Sequence, residues 1–169
     1  MTKYTPKPGD YGLSIIGGPL GKAIKIAQAI TGDWSRYTHA FIVLDDGTIM
    51  QAMPSGAEIV PLAPLLEKDV VFSRWDLTDE ERAAIVENAR ALEGTPYGFL
   101  DYVALALAHF GIRPERLMKF VRTDSHMICS QLVDYCYRKA GVQLFDDDRL
   151  PCDVTPGDLT YTLYGTKEI

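Results

Sequence analysis

The sequence has no apolar run long enough to cross a bilayer: the longest, Val103 to Ala108, falls far short of the ~20 residues a membrane helix needs. Met1 to Gly12 carries no apolar segment of signal-peptide length either, so the chain is expected to be soluble where it is made. A basic cluster is also missing. Seventeen Lys and Arg against 23 Asp and Glu give a net charge of −6, which makes nucleic acid an unexpected partner. Cysteine and histidine are scarce, three of each, and no spacing among them matches a zinc site. Asp146-Asp147-Asp148 lacks the alternating ligands and closing Glu of a calcium loop and reads as a solvated acidic turn. Three cysteines cannot all pair internally, and Cys129 and Cys136, on one predicted helix, stand about 10 Å apart along its axis, too far for a bridge. A reduced, cytoplasmic setting is expected. No internal repeat or low-complexity segment interrupts the chain.

What is present is enough apolar material, 47% of 169 residues, for one well-buried domain spanning residues 1–169. Lys22 to Ile30 reads as a helix entered from the Gly17-Gly18-Pro19 loop, and strands are predicted at 39–44 and 48–53 around an Asp45-Asp46-Gly47 turn. Thr78-Asp79-Glu80-Glu81 is a capping box opening a helix with the stripe Ile85, Ala89, Leu92, which stops at Gly94. Two further helices, Phe99 to Phe110 and Pro114 to Val121, fall in an insertion at about 99–127. Gln143 to Pro151 reads as loop, and the alternation from Leu159 to Tyr164 predicts a strand.

Chemistry concentrates in two places. Cys129, Leu132, Val133, Cys136 and Ala140 recur at helical spacing and Gly141 ends the run, so Cys129 lies in the first turn of a helix. There the helix dipole favours a thiolate, and backbone N–H groups are available to an oxyanion. The second place is Thr38-His39-Ala40-Phe41-Ile42-Val43-Leu44, which sets a histidine at the head of an apolar strand. A thiol and an imidazole so placed suit a cysteine nucleophile and its general base. His109 lies inside an apolar helix and reads as structural, whereas His126, three residues before Cys129, is the rival base; His39 is preferred because a rigid strand aims the ring better than a tight loop. Cys136 reads as core, and Cys152 has no assigned role.

The base needs a partner that fixes its tautomer. With a three-residue turn at 45–47, Leu44 pairs with Thr48 and Phe41 with Gln51, which puts Gln51 diagonal to His39 on the same face; a two-residue turn would send it to the other. Glu58 is the substitute for this role.

The run Cys129-Ser130-x-Leu132-Val133-x-Tyr135-x-Tyr137-x-x-Ala140-Gly141-Val142 resembles the nucleophile helix of NlpC-type papain-like cysteine hydrolases, and Thr38 to Val43 resembles their histidine strand. Gly94-Thr95-Pro96-Tyr97 and Pro156-Gly157-Asp158-Leu159 are similar to segments that flank the cysteine in that family. Histidine precedes cysteine here, the reverse of the usual order, as in the circularly permuted branch with lecithin:retinol-acyltransferase-like relatives. Pro8-Gly9-Asp10 repeats Pro156-Gly157-Asp158, either a trace of permutation or chance. Ile128 and Gln131 stand where the family commonly has Asp and Gly, so substrate contacts made there do not carry over.

The resemblance implies an α+β, permuted papain-like fold, in which a small antiparallel sheet bearing His39 and Gln51 packs on the nucleophile helix. It implies a cysteine peptidase or amidase without cofactor or metal: Cys129 attacks a carbonyl, His39 shuttles the proton, Gln51 orients His39, the Cys129 N–H holds the oxyanion and Tyr97 borders the pocket. In the unpermuted family the substrate is often a cell-wall peptide amide, but an acidic chain without a signal or wall-binding module argues against routine wall turnover unless a phage holin or similar route delivers it. The alternatives are a lipid or acyl thioesterase or acyltransferase, with the insertion as acyl pocket, and a binding module that lost activity.

Overall fold

The computed structural model describes residues 4–30, 35–96, 128–147, 149 and 154–164. The insertion predicted at about 99–127, Tyr97, His109, His126 and Cys152 lie outside the described residues. Within them the chain is α+β, with five strands in one antiparallel sheet of order β4-β3-β2-β1-β5: β1 Tyr11–Ser14, β2 His39–Val43, β3 Thr48–Met53, β4 Gly56–Pro61 and β5 Val70–Phe72. The helices are α1 Gly18–Ile30, α2 Ala63–Leu66, α3 Asp79–Arg90, α4 Cys129–Lys139 and α5 Pro156–Tyr161.

Strand β2 explains the layering. All five of its residues are buried, because both faces of the sheet are covered there. Ala40, Ile42 and Leu44 enter the main core with Ile85 and Ala89 of α3 and Leu132, Val133 and Cys136 of α4. Phe41 and Val43 turn to a smaller cluster with Ile49, Leu62 and Phe72. The period-2 alternation thus sorts one strand between two cores. Gly12, opposite Phe41, gives that ring its room, since a Cβ there would lie 2.3 Å from Phe41 Cζ. Gly12→Ala is therefore expected to destabilise the fold by about 1–3 kcal/mol in urea unfolding; an unchanged midpoint would show that Phe41 has space to move.

The β2–β3 turn has the predicted three residues. Leu44 N–H donates to Thr48 O at 2.9 Å, Phe41 pairs with Gln51, and Gly47 takes φ 77°. The capping box at Thr78 is formed from both sides, with Glu81 N–H to Thr78 Oγ1 at 3.2 Å and Thr78 N–H to Glu81 Oε2 at 2.8 Å.

Two elements differ from expectation. Helix α1 begins at Gly18, four residues before the predicted start, because proline is compatible with a first helical turn and does not hold the loop open. The strand predicted at Leu159 to Tyr164 is replaced by α5 and the turn after it. Thr155 caps α5 by accepting from Asp158 N–H at 3.0 Å, Asp158 Oδ2 accepts from Thr155 N–H at 2.8 Å, and proline opens the helix. Leu159 of α5 and Leu163 of the turn after it are both buried and four apart, so a six-residue apolar alternation fits both periods.

The repeated Pro-Gly-Asp triplets share one local device. Asp10 Oδ2 accepts from Lys7 N–H at 2.8 Å just as Asp158 accepts from Thr155, three residues back in each case. Gly9, at φ 85°, turns the first copy into β1, whereas the second continues as helix. The two triplets are therefore not copies of one structural element.

Candidate active site

Helix α4 delivers Cys129 as its first helical residue, after the extended N-cap Ile128 at φ −93°, ψ 164°. Isoleucine has no side-chain acceptor, so only half of a capping box exists: Gln131 Oε1 accepts from Ile128 N–H at 3.3 Å. The helix start is pinned elsewhere as well. Ser130 Oγ donates to Val154 O at 2.6 Å, and Ile128 packs on Ile24 of α1. At the far end, Tyr137 donates to Gly9 O at 2.7 Å and Gly141, at φ 80°, terminates the helix. Cys129, 1% exposed, is thus held in place with the positive end of the dipole behind it.

His39, first residue of β2, is 4% exposed and close enough to Cys129 for the thiol to act on its charge. Its Nε2 lies 2.9 Å from Gln51 Oε1, and Gln51 Nε2 donates to Glu58 Oε1, also at 2.9 Å. An amide oxygen can only accept, so His39 Nε2 carries the proton of this bond and Nδ1 is the nitrogen left for the thiol. Strand register builds the row. Gln51 is diagonal to His39 across β2–β3 and directly opposite Glu58 across β3–β4.

The electrostatics of His39 are a contest. Burial disfavours the imidazolium, but the hydrogen bond and negative charge of Cys129 favour it, helped by Gln51 and the Glu58 carboxylate, and the balance raises the pKa above 6.5. The Cys129–His39 interaction is reciprocal, a protonated ring favouring the thiolate as the thiolate favours the protonated ring. Cys136, on the same helix, is the contrast: burial without a cationic partner pushes its thiol far above the ordinary range, which leaves it inert. Neither cysteine is in a disulfide.

A cavity of about 300 Å³ opens beside His39 and Gln51, walled mostly by apolar groups: Ile15, Ile16, Met53, Val60, Pro64 and Leu65. Ser14, paired with His39 across β1–β2, and Lys68 complete the polar lining. Of the residues expected at the site, Cys129, His39 and Gln51 come together, and Glu58 stands behind Gln51 instead of replacing it. Ser14 and the β4–α2 wall were not anticipated. The Met53-Pro54-Ser55-Gly56 turn, with Gly56 at φ 117°, was the available signal, since a two-residue hairpin there sets 51 opposite 58.

No protein-family model matches the chain, and no curated protein is significantly similar to it. Among solved structures it is similar to the metalloprotein YiiX of Escherichia coli O157:H7, a DUF1105 protein, with a TM-score of 0.59, 20% identity, and coverage of 89% of this chain and 79% of that one. At that identity the likeness is one of fold. Among the described residues no group of three or more His, Cys, Asp or Glu is placed to hold a metal ion, and none of their helices is long and apolar enough to cross a membrane.

Proposed function

We propose that the chain is a cysteine hydrolase of the permuted NlpC-type papain-like fold, acting on an amide bond through a Cys129 acyl-enzyme. One observation carries the reading: His39, whose charge responds to the helix-start thiol, has its Nε2 fixed by Gln51 Oε1 at 2.9 Å. In the proposed reaction the Cys129 sulfur attacks the carbonyl carbon while its proton rests on His39 Nδ1. Backbone N–H groups at the start of α4 stabilise the oxyanion. His39 then protonates the leaving amine, the thioester forms, and a water deprotonated by His39 releases the acid and restores the thiol. YiiX is described as a metalloprotein; the reaction proposed here is written on Cys129, His39 and Gln51 alone.

The similarity of the Gly94 to Phe99 and Pro156 to Leu159 segments to the peptidase branch favours an amide, with a cell-wall peptide as the candidate. A second reading, hydrolysis or transfer of an acyl ester or thioester, is favoured by the apolar walls of the cavity beside His39. A γ-D-glutamyl peptide and a p-nitrophenyl acyl ester, each assayed with Cys129→Ala as control, separate the two. Peptide turnover lost in the variant is the expected result. Turnover of the ester alone would transfer the proposal to acyl chemistry, and turnover of neither would favour a binding module.

A further inference from the structure

We propose that Glu58 is a positioning residue, which holds the Gln51 amide with its oxygen toward His39 and so decides which nitrogen of His39 faces the thiol. The inference rests on the Cys129–His39 reading above. The two ends of a glutamine amide are nearly the same size, so nothing in packing alone selects the Gln51 orientation. Glu58 does. An ionised carboxylate only accepts, so Glu58 Oε1, at 2.9 Å, draws Gln51 Nε2 to itself and leaves Gln51 Oε1 for His39 Nε2. With the amide reversed, Gln51 would present N–H to His39 Nε2, the ring proton would move to Nδ1, and a donor would face the cysteine in place of a base.

The row is built into the sheet, because Gln51 and Glu58 occupy one rung of β3–β4. Glu58 is half-buried, and its carboxylate adds to the charge that favours a protonated His39. The charged groups around the ring among the described residues are Cys129 from α4, Glu58 from β4 and Lys68 after α2. Glu58 touches neither substrate nor nucleophile in this scheme and acts only through Gln51.

The test has two independent readouts. In the Cys129→Ser background, where no thiolate holds the ring charged, ¹⁵N NMR should report neutral His39 as the Nε2–H tautomer. Adding Glu58→Gln, which can donate or accept, should yield a mixture of tautomers, and Glu58→Asp should restore the single form in part. In the active chain Glu58→Gln should lower kcat by about ten- to a hundred-fold with little change in KM, the scale found for carboxylates that orient metal-bound histidines. An unchanged tautomer in Glu58→Gln overturns the proposal whatever happens to kcat. A shifted tautomer in a protein whose unsubstituted form turns over neither substrate would support the positioning role and remove the hydrolase reading instead.

Discussion

Cys129→Ala is expected to lower kcat by about 10⁴-fold or more on any substrate the protein turns over, with the fold intact. In the proposed reaction the sulfur is the atom that forms the covalent bond. Ser14 is opposite His39 in register, but a hydroxyl there lacks the helix-start dipole that acts on Cys129. His39→Ala should cost about 10²–10⁴-fold, because the thiol then loses both its proton acceptor and the cation beside it. Both variants should retain the far-UV circular dichroism of the parent. A Cys129→Ala protein within tenfold of the parent rate would remove the sulfur from the chemistry.

Asp10→Ala is expected to produce the largest loss of stability, about 3–5 kcal/mol, or a fall in Tm on the order of 10 °C. Asp10 is fully buried and accepts from Tyr4 Oη at 2.7 Å, Lys7 N–H at 2.8 Å and Arg82 Nη1 at 2.9 Å. Arg82 also donates to Pro8 O and Trp75 O, so one ion pair ties the turn before β1 to α3 and to the segment after β5. Its side chain is only 13% exposed, and removing the carboxylate would strand that guanidinium in a low-dielectric site. Asp10→Asn keeps the shape and loses the charge, and should cost most of the same amount. Urea unfolding measures both; a loss below about 1 kcal/mol for Asp10→Ala would mean that Arg82 finds water or another partner. The site should feel this change, since Tyr137 of α4 donates to Gly9 O in the same turn.

The legible parts of the sequence were those in which a local signal has one structural solution. Thr78 and Glu81 satisfy each other's backbone in only one geometry, and the helix they open is there. Asp45-Asp46-Gly47 fixed a register, and the register placed Gln51 within reach of His39. Cys129 was legible because helical period, terminal glycine and family-like residues coincided. The rest depended on neighbours that a linear reading does not supply. Strands β1, β4 and β5 are three to six residues long and carry too few alternations to stand out before their partners are known. Leu159 to Tyr164 alternates like a strand, but capping at Thr155 outweighs an alternation that also fits helical spacing. Glu58 reads from the sequence only as a substitute for Gln51, because its role depends on the two sharing a rung.

The pH dependence of Cys129 alkylation tests the pairing with His39 most directly, because it requires no knowledge of the substrate. The interaction that raises the His39 pKa favours a thiolate–imidazolium pair, so lowering the pH toward 6.5 should leave the thiolate in place where an ordinary thiol, with a midpoint near ~8.5, is already protonated. Iodoacetamide, with adducts mapped by mass spectrometry, should therefore modify Cys129 rapidly at about pH 6.5, ahead of Cys136 and Cys152. In His39→Ala the rate at that pH should fall by at least tenfold and recover only at or above the ordinary thiol midpoint of ~8.5. A parent protein whose Cys129 reacts slowly at pH 6.5, with a profile that His39→Ala leaves unchanged, would contradict the account.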